Sequence, residues 1–556
     1  MTRYYRDLTP TYPDHGAWTL PAVLRDRAAE RPDAVFVDVP DQAVRYTFAE
    51  TLDVAERIGG AFLADGCVPG DRVLILAENR AEYLLAWFGA AVAGLVEVPI
   101  NTAYRGTFLD HQVQTVAPRA AVVAPVFVQA VLQSGPARVI DTVYVLDDDA
   151  DSLARLQAAG VAARPFSTLT TADRPASLPA VRPQDLAAIL FTSGTTGLSK
   201  GVEMPHAHFY FFADECVSLT RLTGDDVYMS VGPLFHGNAQ FLAAYPAMIV
   251  GARFVLQPRF SASRWVSQLR GCGATVTNVV GVMMDWVHKQ PRRPDDADNA
   301  LRCLYAVPLA TSIADDFAER FGIGAFVENF GLTEVAMPIL TPYGEARPPG
   351  AAGLLVDEYF EVRLVDPDTD EEVPVGDLGE LVVRARLPWT ITTGYHGMPE
   401  RTTEAQRNLW FHTGDGLRRD SDGWYYFVDR LSDSLRRRGE NISSFEVEQP
   451  ILALPGVLDC AVVGVPADAE AGEDELLVVV VPEPGSDLDA AAIWAWCTPE
   501  LPAFAIPRYV RFLDELPVTP SGKVRKAVLR EAGLPPGTAD RERDIAEYRR
   551  AVEEEA

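Results

Sequence analysis

Two lysines stand where phosphate chemistry would need them. Of the 49 lysine and arginine residues only four are lysine: Lys200, Lys289, Lys523 and Lys526. A chain so biased uses arginine wherever a generic positive charge will serve. A compact ammonium on a flexible stem follows a moving anion, whereas a planar guanidinium fork does so poorly. Lys200 closes Phe191-Thr-Ser-Gly-Thr-Thr-Gly-Leu-Ser-Lys-Gly201, and Lys523 ends Pro517-Val-Thr-Pro-Ser-Gly-Lys523. Glycines let the backbone turn its N–H groups toward an anion. Ser193, Thr195, Thr196 and Ser199 add hydroxyls, and Thr195 or Thr196 offers an oxygen to Mg²⁺. The spacing is not that of a P-loop, which needs GxxxxGK followed by Ser or Thr. Taken alone, the stretch also reads as a plain serine–threonine surface loop.

The elements that must hold these loops follow from the pattern. Val73–Leu76, Val96–Ile100, Ala120–Ala124 and Leu186–Phe191 are short apolar runs separated by helical stretches, which predicts parallel α/β layers. Leu186–Phe191 feeds the glycine loop and Val202–Met204 leaves it. From Gly353 to Val428 the pattern turns to β, with Glu361–Val365, Gly379–Arg384 and Trp424–Val428 as strands. A boundary falls near Arg430. The expected domains are 1–430, then a self-contained α+β unit at 431–530, then a charged helical tail at 531–556.

Composition narrows the partners. A chain of 556 residues exceeds what one core usually serves. A net charge of −29 repels nucleic acid and anionic lipid, so neither is expected. Any phosphate site must then be local, built from backbone N–H groups and a few placed cations. The six cysteines have no CxxC spacing, which argues against zinc and against a disulfide framework. The N-terminus lacks the apolar run of a signal peptide, and a cytoplasmic protein is expected. The apolar stretch Tyr83–Val96 falls short of the roughly 20 residues of a membrane span and reads as a buried helix running into a strand.

Six further motifs extend the glycine loop in a fixed order. They are Pro233-Leu-Phe-His-Gly237, Asn329-Phe-Gly-Leu-Thr-Glu334, Gly379-Glu-Leu381 with Gly394-Tyr395, His412-Thr-Gly-Asp415, Asp429-Arg430 with Gly439-Glu-Asn-Ile442, and Pro520-Ser-Gly-Lys523. The series resembles the ANL adenylating enzymes, and within them it is most similar to crotonobetaine/carnitine-type CoA ligases. The resemblance implies a large N-terminal domain of layered α/β sheets with a β-rich subdomain, followed by a small mobile C-terminal α+β domain. It implies an acyl-CoA synthetase that uses ATP and Mg²⁺ to make an acyl-adenylate and pyrophosphate, then passes the acyl group to coenzyme A. The alternative within the family stops at the adenylate or loads the phosphopantetheine of a carrier protein. An NTPase or kinase, or a nucleotide binder without catalysis, are the readings outside it. A small-molecule carboxylic acid is the expected substrate, and a homodimer the family-based expectation.

The resemblance also implies roles. Lys523 bridges the substrate carboxylate and the α-phosphate, and Lys200 grips the outgoing pyrophosphate. Thr192, Ser193, Gly194, Thr195, Thr196 and Gly197 cradle phosphate, while Glu334 and Thr196 hold Mg²⁺. Asn329, Phe330, Gly331 and Thr333 belong to the nucleotide site, with Phe330 on adenine in place of the usual tyrosine. Asp415 takes the ribose hydroxyls and Arg430 lies near the same ribose. His236 gates the acyl pocket, whose walls include Gly281, Ala306 and Val307. Ser432 is the hinge, where Asp or Lys is usual, and Gly439 comes into play in the thioester-forming pose. Arg436–Arg438 are either a solvated charge cluster or a landing site for coenzyme A phosphates.

Overall fold

The computed structural model describes residues 2–104, 106–133, 139–192, 199–430, 435–437, 440–442, 444–466, 474–501, 505–518 and 524–543. The short apolar runs form the middle of an eight-stranded sheet. Its order is Gly394–Tyr395, Lys200–Pro205, Leu186–Thr192, Val96–Pro99, Arg72–Leu76, Ala120–Val123, Thr142–Val145 and Ala163–Pro165. From Leu186–Thr192 onward neighbouring strands are parallel. The first two strands join antiparallel. Parallel strands are covered on both faces, which is why they read as unbroken apolar runs. The helix Ala81–Val92 buries every residue except Glu82. It packs against the helix Phe48–Ala64. There Thr47 and Glu50 exchange side chain-to-backbone hydrogen bonds across the first turn, satisfying two donors that the helix leaves unpaired. Among the described residues no helix is long and apolar enough to cross a membrane.

A second sheet has seven strands, in the order Ala325–Val327, Cys303–Val307, Val276–Val280, Val227–Ser230, Arg253–Leu256, Val35–Val39 and Val44–Thr47. All its pairs are parallel but the last. A third, fully antiparallel sheet orders Asn329–Leu332, Ala336–Leu340, Gly353–Leu355, Trp424–Arg430, Phe411–Arg419, Gly379–Ala385 and Phe360–Val365. It is the β-rich region expected after Gly353.

Beyond residue 444 the chain forms a four-stranded sheet: Val457–Pro466, Asp474–Pro482, Tyr509–Phe512 and Ala539–Asp540. Strand alternation assigns Cys460 and Val462 to one apolar cluster with Ile493 and Cys497 of the helix Ala490–Glu500. It assigns Ala461, Val463 and Val465 to another with Leu529 of the helix Lys526–Ala532. Of the tail expected at 531–556, residues 544–556 lie outside the described residues. Ala539–Asp540 joins the sheet as an edge strand, held where the Asp540 carboxylate accepts from Arg508 at 3.1 and 3.2 Å.

Candidate active site

The strands Leu186–Thr192 and Lys200–Pro205 form a hairpin whose register sets Thr192 opposite Lys200. The helix Gly106–Val116 braces its base. A ring nitrogen of His111 lies 2.8 Å from the Ser199 carbonyl, and Gln112 donates to the Ser199 hydroxyl at 3.3 Å. Residues 193–198 lie outside the described residues, and with them Ser193, Gly194, Thr195, Thr196 and Gly197.

Lys200 is half-buried, and its ammonium finds a partner that sequence reasoning passed over. The edge strand Gly394–Tyr395 pairs with the hairpin, Tyr395 opposite Val202. The Tyr395 hydroxyl accepts from Lys200 Nζ at 3.2 Å and donates to Glu334 Oε1 at 3.1 Å. Lys200 Nζ also sits 4.3 Å from the centre of the Tyr395 ring. Glu334 is buried, and its carbonyl accepts from Thr392 N–H at 2.8 Å. One phenol thus links the lysine read as a pyrophosphate grip to the carboxylate read as a metal ligand.

Glu334 follows a tight bend between the strands Asn329–Leu332 and Ala336–Leu340. The bend needs glycine at 331: a Cβ there would lie 2.3 Å from the Ala336 carbonyl oxygen. Phe330 is buried and stacks on Phe427 with ring centres 6.1 Å apart. Asn329 accepts from the buried Tyr305 hydroxyl at 2.6 Å, which fixes both side chains. Thr333 is half-buried in the same turn.

Asp415 is buried on the strand Phe411–Arg419, across from Arg430 in the register of the next strand. Its turn is set by Glu380, a motif residue that had no assigned role. Glu380 Oε1 accepts from Gly414 N–H at 2.9 Å and Oε2 lies 2.9 Å from His412 Nδ1. Burial works to raise the Glu380 carboxyl. His412, the Gly414 N–H and Arg407 outweigh it and leave the group below the usual carboxylate range. An ionised Glu380 therefore buttresses the turn that carries Asp415.

The loop before His236 is pinned from several sides. Asn79 donates to the carbonyls of Gly232 and Gln257 and accepts from Leu234 N–H, at 2.7 to 2.9 Å. Gln240 donates to the Leu234 carbonyl at 2.8 Å. His236 itself is exposed and caps the turn Gly237–Ala239, accepting from Asn238 N–H at 3.3 Å. A rigid base under an exposed imidazole suits a gate.

The profile of the family described as AMP-binding enzyme matches residues 24–396. That of the AMP-binding enzyme C-terminal domain matches 446–523. The chain belongs to this family of AMP-binding enzymes, in the ANL superfamily. Crotonobetaine/carnitine–CoA ligase of Salmonella paratyphi A is 31% identical over 501 residues, covering 87% of this chain and 93% of that protein. Feruloyl-CoA synthase of an Amycolatopsis species is 34% identical over 490 residues, with the same coverage. Among solved structures, ATP-bound MatB from Rhodopseudomonas palustris superposes with a TM-score of 0.80 at 28% identity, covering 93% of this chain and 98% of that one.

In this AMP-binding enzyme the donor set around Glu334 fits Mg²⁺. That ion takes hard oxygen ligands, usually one or two carboxylates with substrate phosphates and water completing the shell. Among the described residues no group of three His, Cys, Asp or Glu could hold a metal unaided. Glu334 at the hairpin matches the sparser kind of site.

The residues expected to wall the acyl pocket lie at the ends of two parallel strands, Val279 beside Ala306 and Val280 beside Val307. Ligands bind outside the carboxyl ends of such strands. Ala306 is wholly enclosed in the apolar cluster, and Val307 is partly exposed. The room that Gly281 leaves is occupied by backbone, since a Cβ would lie 2.6 Å from the Pro308 carbonyl oxygen. Gly281→Ala is accordingly expected to destabilise the enzyme by about 1–3 kcal/mol through overpacking, read by chemical denaturation. An unchanged midpoint would mean that Pro308 yields freely.

Lys523, Ser432 and Gly439 fall outside the described residues. Of Arg430, Arg436 and Arg437 only the backbone strands are described, and Arg438 is not described.

Proposed function

We propose that this AMP-binding enzyme activates a carboxylic acid whose body, apart from the carboxylate, is uncharged and apolar, with the hairpin lysine and Glu334 serving the nucleotide phosphates. The observation that carries the site assignment is the linkage of Lys200 to Glu334 through Tyr395, because it gathers a cation and a hard-oxygen ligand at the base of the glycine loop. The reaction is that of an AMP-forming acid–thiol ligase. A substrate carboxylate oxygen attacks the α-phosphorus of ATP, and pyrophosphate leaves. The coenzyme A thiol then attacks the acyl carbonyl of the adenylate, and AMP leaves.

In this reading Lys523 stabilises the charge shared by carboxylate and α-phosphate, and Lys200 holds the departing pyrophosphate with residues 192–197. Glu334 and Thr196 hold Mg²⁺, which supplies positive charge against the phosphate oxygens. Asp415 receives two ribose hydroxyls, a role that suits an ionised carboxylate. The steps are divided between residues 1–430 and a unit at 431–530 that turns about Ser432, with Gly439 approaching in the second step. His236 gates the passage between acyl group and thiol.

The nature of the acid follows from the pocket walls. Val280, Gly281 and Val307, which lie outside the enclosed Ala306, are all uncharged. The nearby Glu328 accepts from Leu309 N–H at 2.9 Å and is paired with Arg347. A quaternary ammonium of the carnitine kind would meet no carboxylate that is not already matched among these residues. An apolar acid of the feruloyl kind meets compatible surface. A pyrophosphate-release screen is expected to rank aromatic and apolar acids above carnitine and crotonobetaine, with AMP as the co-product. Release of ADP and phosphate would overturn the ligase reading, and preference for carnitine would overturn the pocket reading.

A further inference from the structure

We infer that Tyr395 is a positioning residue that holds the Lys200 ammonium and the Glu334 carboxylate in register while keeping them from pairing directly. The inference rests on the roles given above to Lys200 and Glu334. A phenol has one proton and two lone pairs, so it can donate to a carboxylate and accept from an ammonium at once. Both contacts are made here, at 3.1 and 3.2 Å, and both involve charged partners. The ring face adds attraction for the same ammonium.

The placement of Tyr395 does not depend on either charge. Its N–H donates to Thr402 Oγ1 at 2.9 Å, and its strand is held by the hairpin. The residue is 7% exposed. An ordinary phenol is neutral near pH 7, so the hydroxyl is available as a donor.

The arrangement answers a problem that the chemistry poses. A lysine and a glutamate in direct contact would satisfy each other, and both would be lost to phosphate and metal. A hydroxyl between them orders the long lysine stem beforehand while also donating to the carboxylate. Preorganised groups of this kind spare the ordering cost when the ligand arrives.

Tyr395→Phe keeps the ring and removes the hydroxyl. We expect the melting temperature of the free protein to be retained. ATP–pyrophosphate exchange should fall about tenfold, as for the loss of one hydrogen bond to a charged group. The Mg·ATP concentration giving half-maximal thermal protection should rise by a similar factor, a readout that needs no turnover. In a cycle with Glu334→Gln, the double variant should lose less than the product of the single losses, because the hydroxyl acts through that carboxylate. The cycle remains decisive if Tyr395→Phe proves less stable, since a general folding defect would multiply with the Glu334 loss. If Tyr395→Phe matches the natural chain in exchange and Mg·ATP protection while Lys200→Ala and Glu334→Gln are impaired, the inference about Tyr395 falls and the site stands. If Lys200→Ala and Glu334→Gln are themselves unimpaired, the site assignment falls and takes the inference with it.

Discussion

Lys523→Ala is expected to lower carboxylate-dependent ATP–pyrophosphate exchange by about 10²–10³-fold, the scale set by removing one preorganised donor from a developing anion. The same variant should still convert a supplied acyl-adenylate to thioester. The asymmetry follows from charge. Adenylation brings a carboxylate up to a phosphate in a protein that already carries a net −29, so two anions meet in an unfavourable field. The second step opposes a thiol to a neutral acyl carbon and has no such collision to relieve. The described lysines are committed elsewhere. Lys289 pairs with Asp285 at 3.0 Å, Lys526 pairs with Glu448 at 2.9 Å, and Lys200 lies against Tyr395. None of them is placed to stand in for Lys523. Equal loss of exchange and of thioester formation would contradict the division of labour between the two steps.

How far the molecule was legible depended on whether the information was local. Val73–Leu76 and Ala120–Ala124 are readable as central strands because burial on both faces leaves an unbroken apolar run. The glycine loop and Glu334 are readable because their residue types are unusual at those spacings. Tyr395 and Glu380 lay inside recognised motifs, yet their work was invisible. The partner of Tyr395 comes from a hairpin 195 residues earlier in the chain, and only sheet register brings the two together. Glu380 supports Asp415 across a strand pair in the same way. A signal did exist for both: a buried polar residue in a strand must find a partner. Gly281 shows the opposite limit. Its residue type announced a close approach, but not that the approaching group is the Pro308 carbonyl.

Glu97→Gln is expected to flatten a fall in stability that the natural chain shows as pH rises. Glu97 is wholly buried on the strand Val96–Pro99, and its Oε1 accepts from Gln240 Nε2 at 2.8 Å. Glu97 Oε2 and Gln240 Oε1 are both buried acceptors without a hydrogen-bond partner. A proton on the carboxyl removes the charge that this burial penalises. Burial pushes the Glu97 carboxyl up from 4.5 to about 8, with Gln240 and Tyr83 opposing the rise only in part. The folded state therefore binds this proton more tightly than the unfolded state. Its contribution is fully present below about 4.5 and is lost as pH climbs through about 8. Within that window the slope approaches about 1.4 kcal/mol per pH unit. An amide at 97 keeps the shape, accepts from Gln240 with its oxygen and donates with its nitrogen, and does not titrate. Asp214 and Glu215 are also buried with raised values and tilt stability the same way. They are present in both chains and cancel in the difference. Denaturation of the two chains from pH 5 to 9 should thus show Glu97→Gln gaining on the natural protein as pH rises. A difference that stays constant across the range would mean that Glu97 is ionised in the folded protein, and the account of this buried pair would fail.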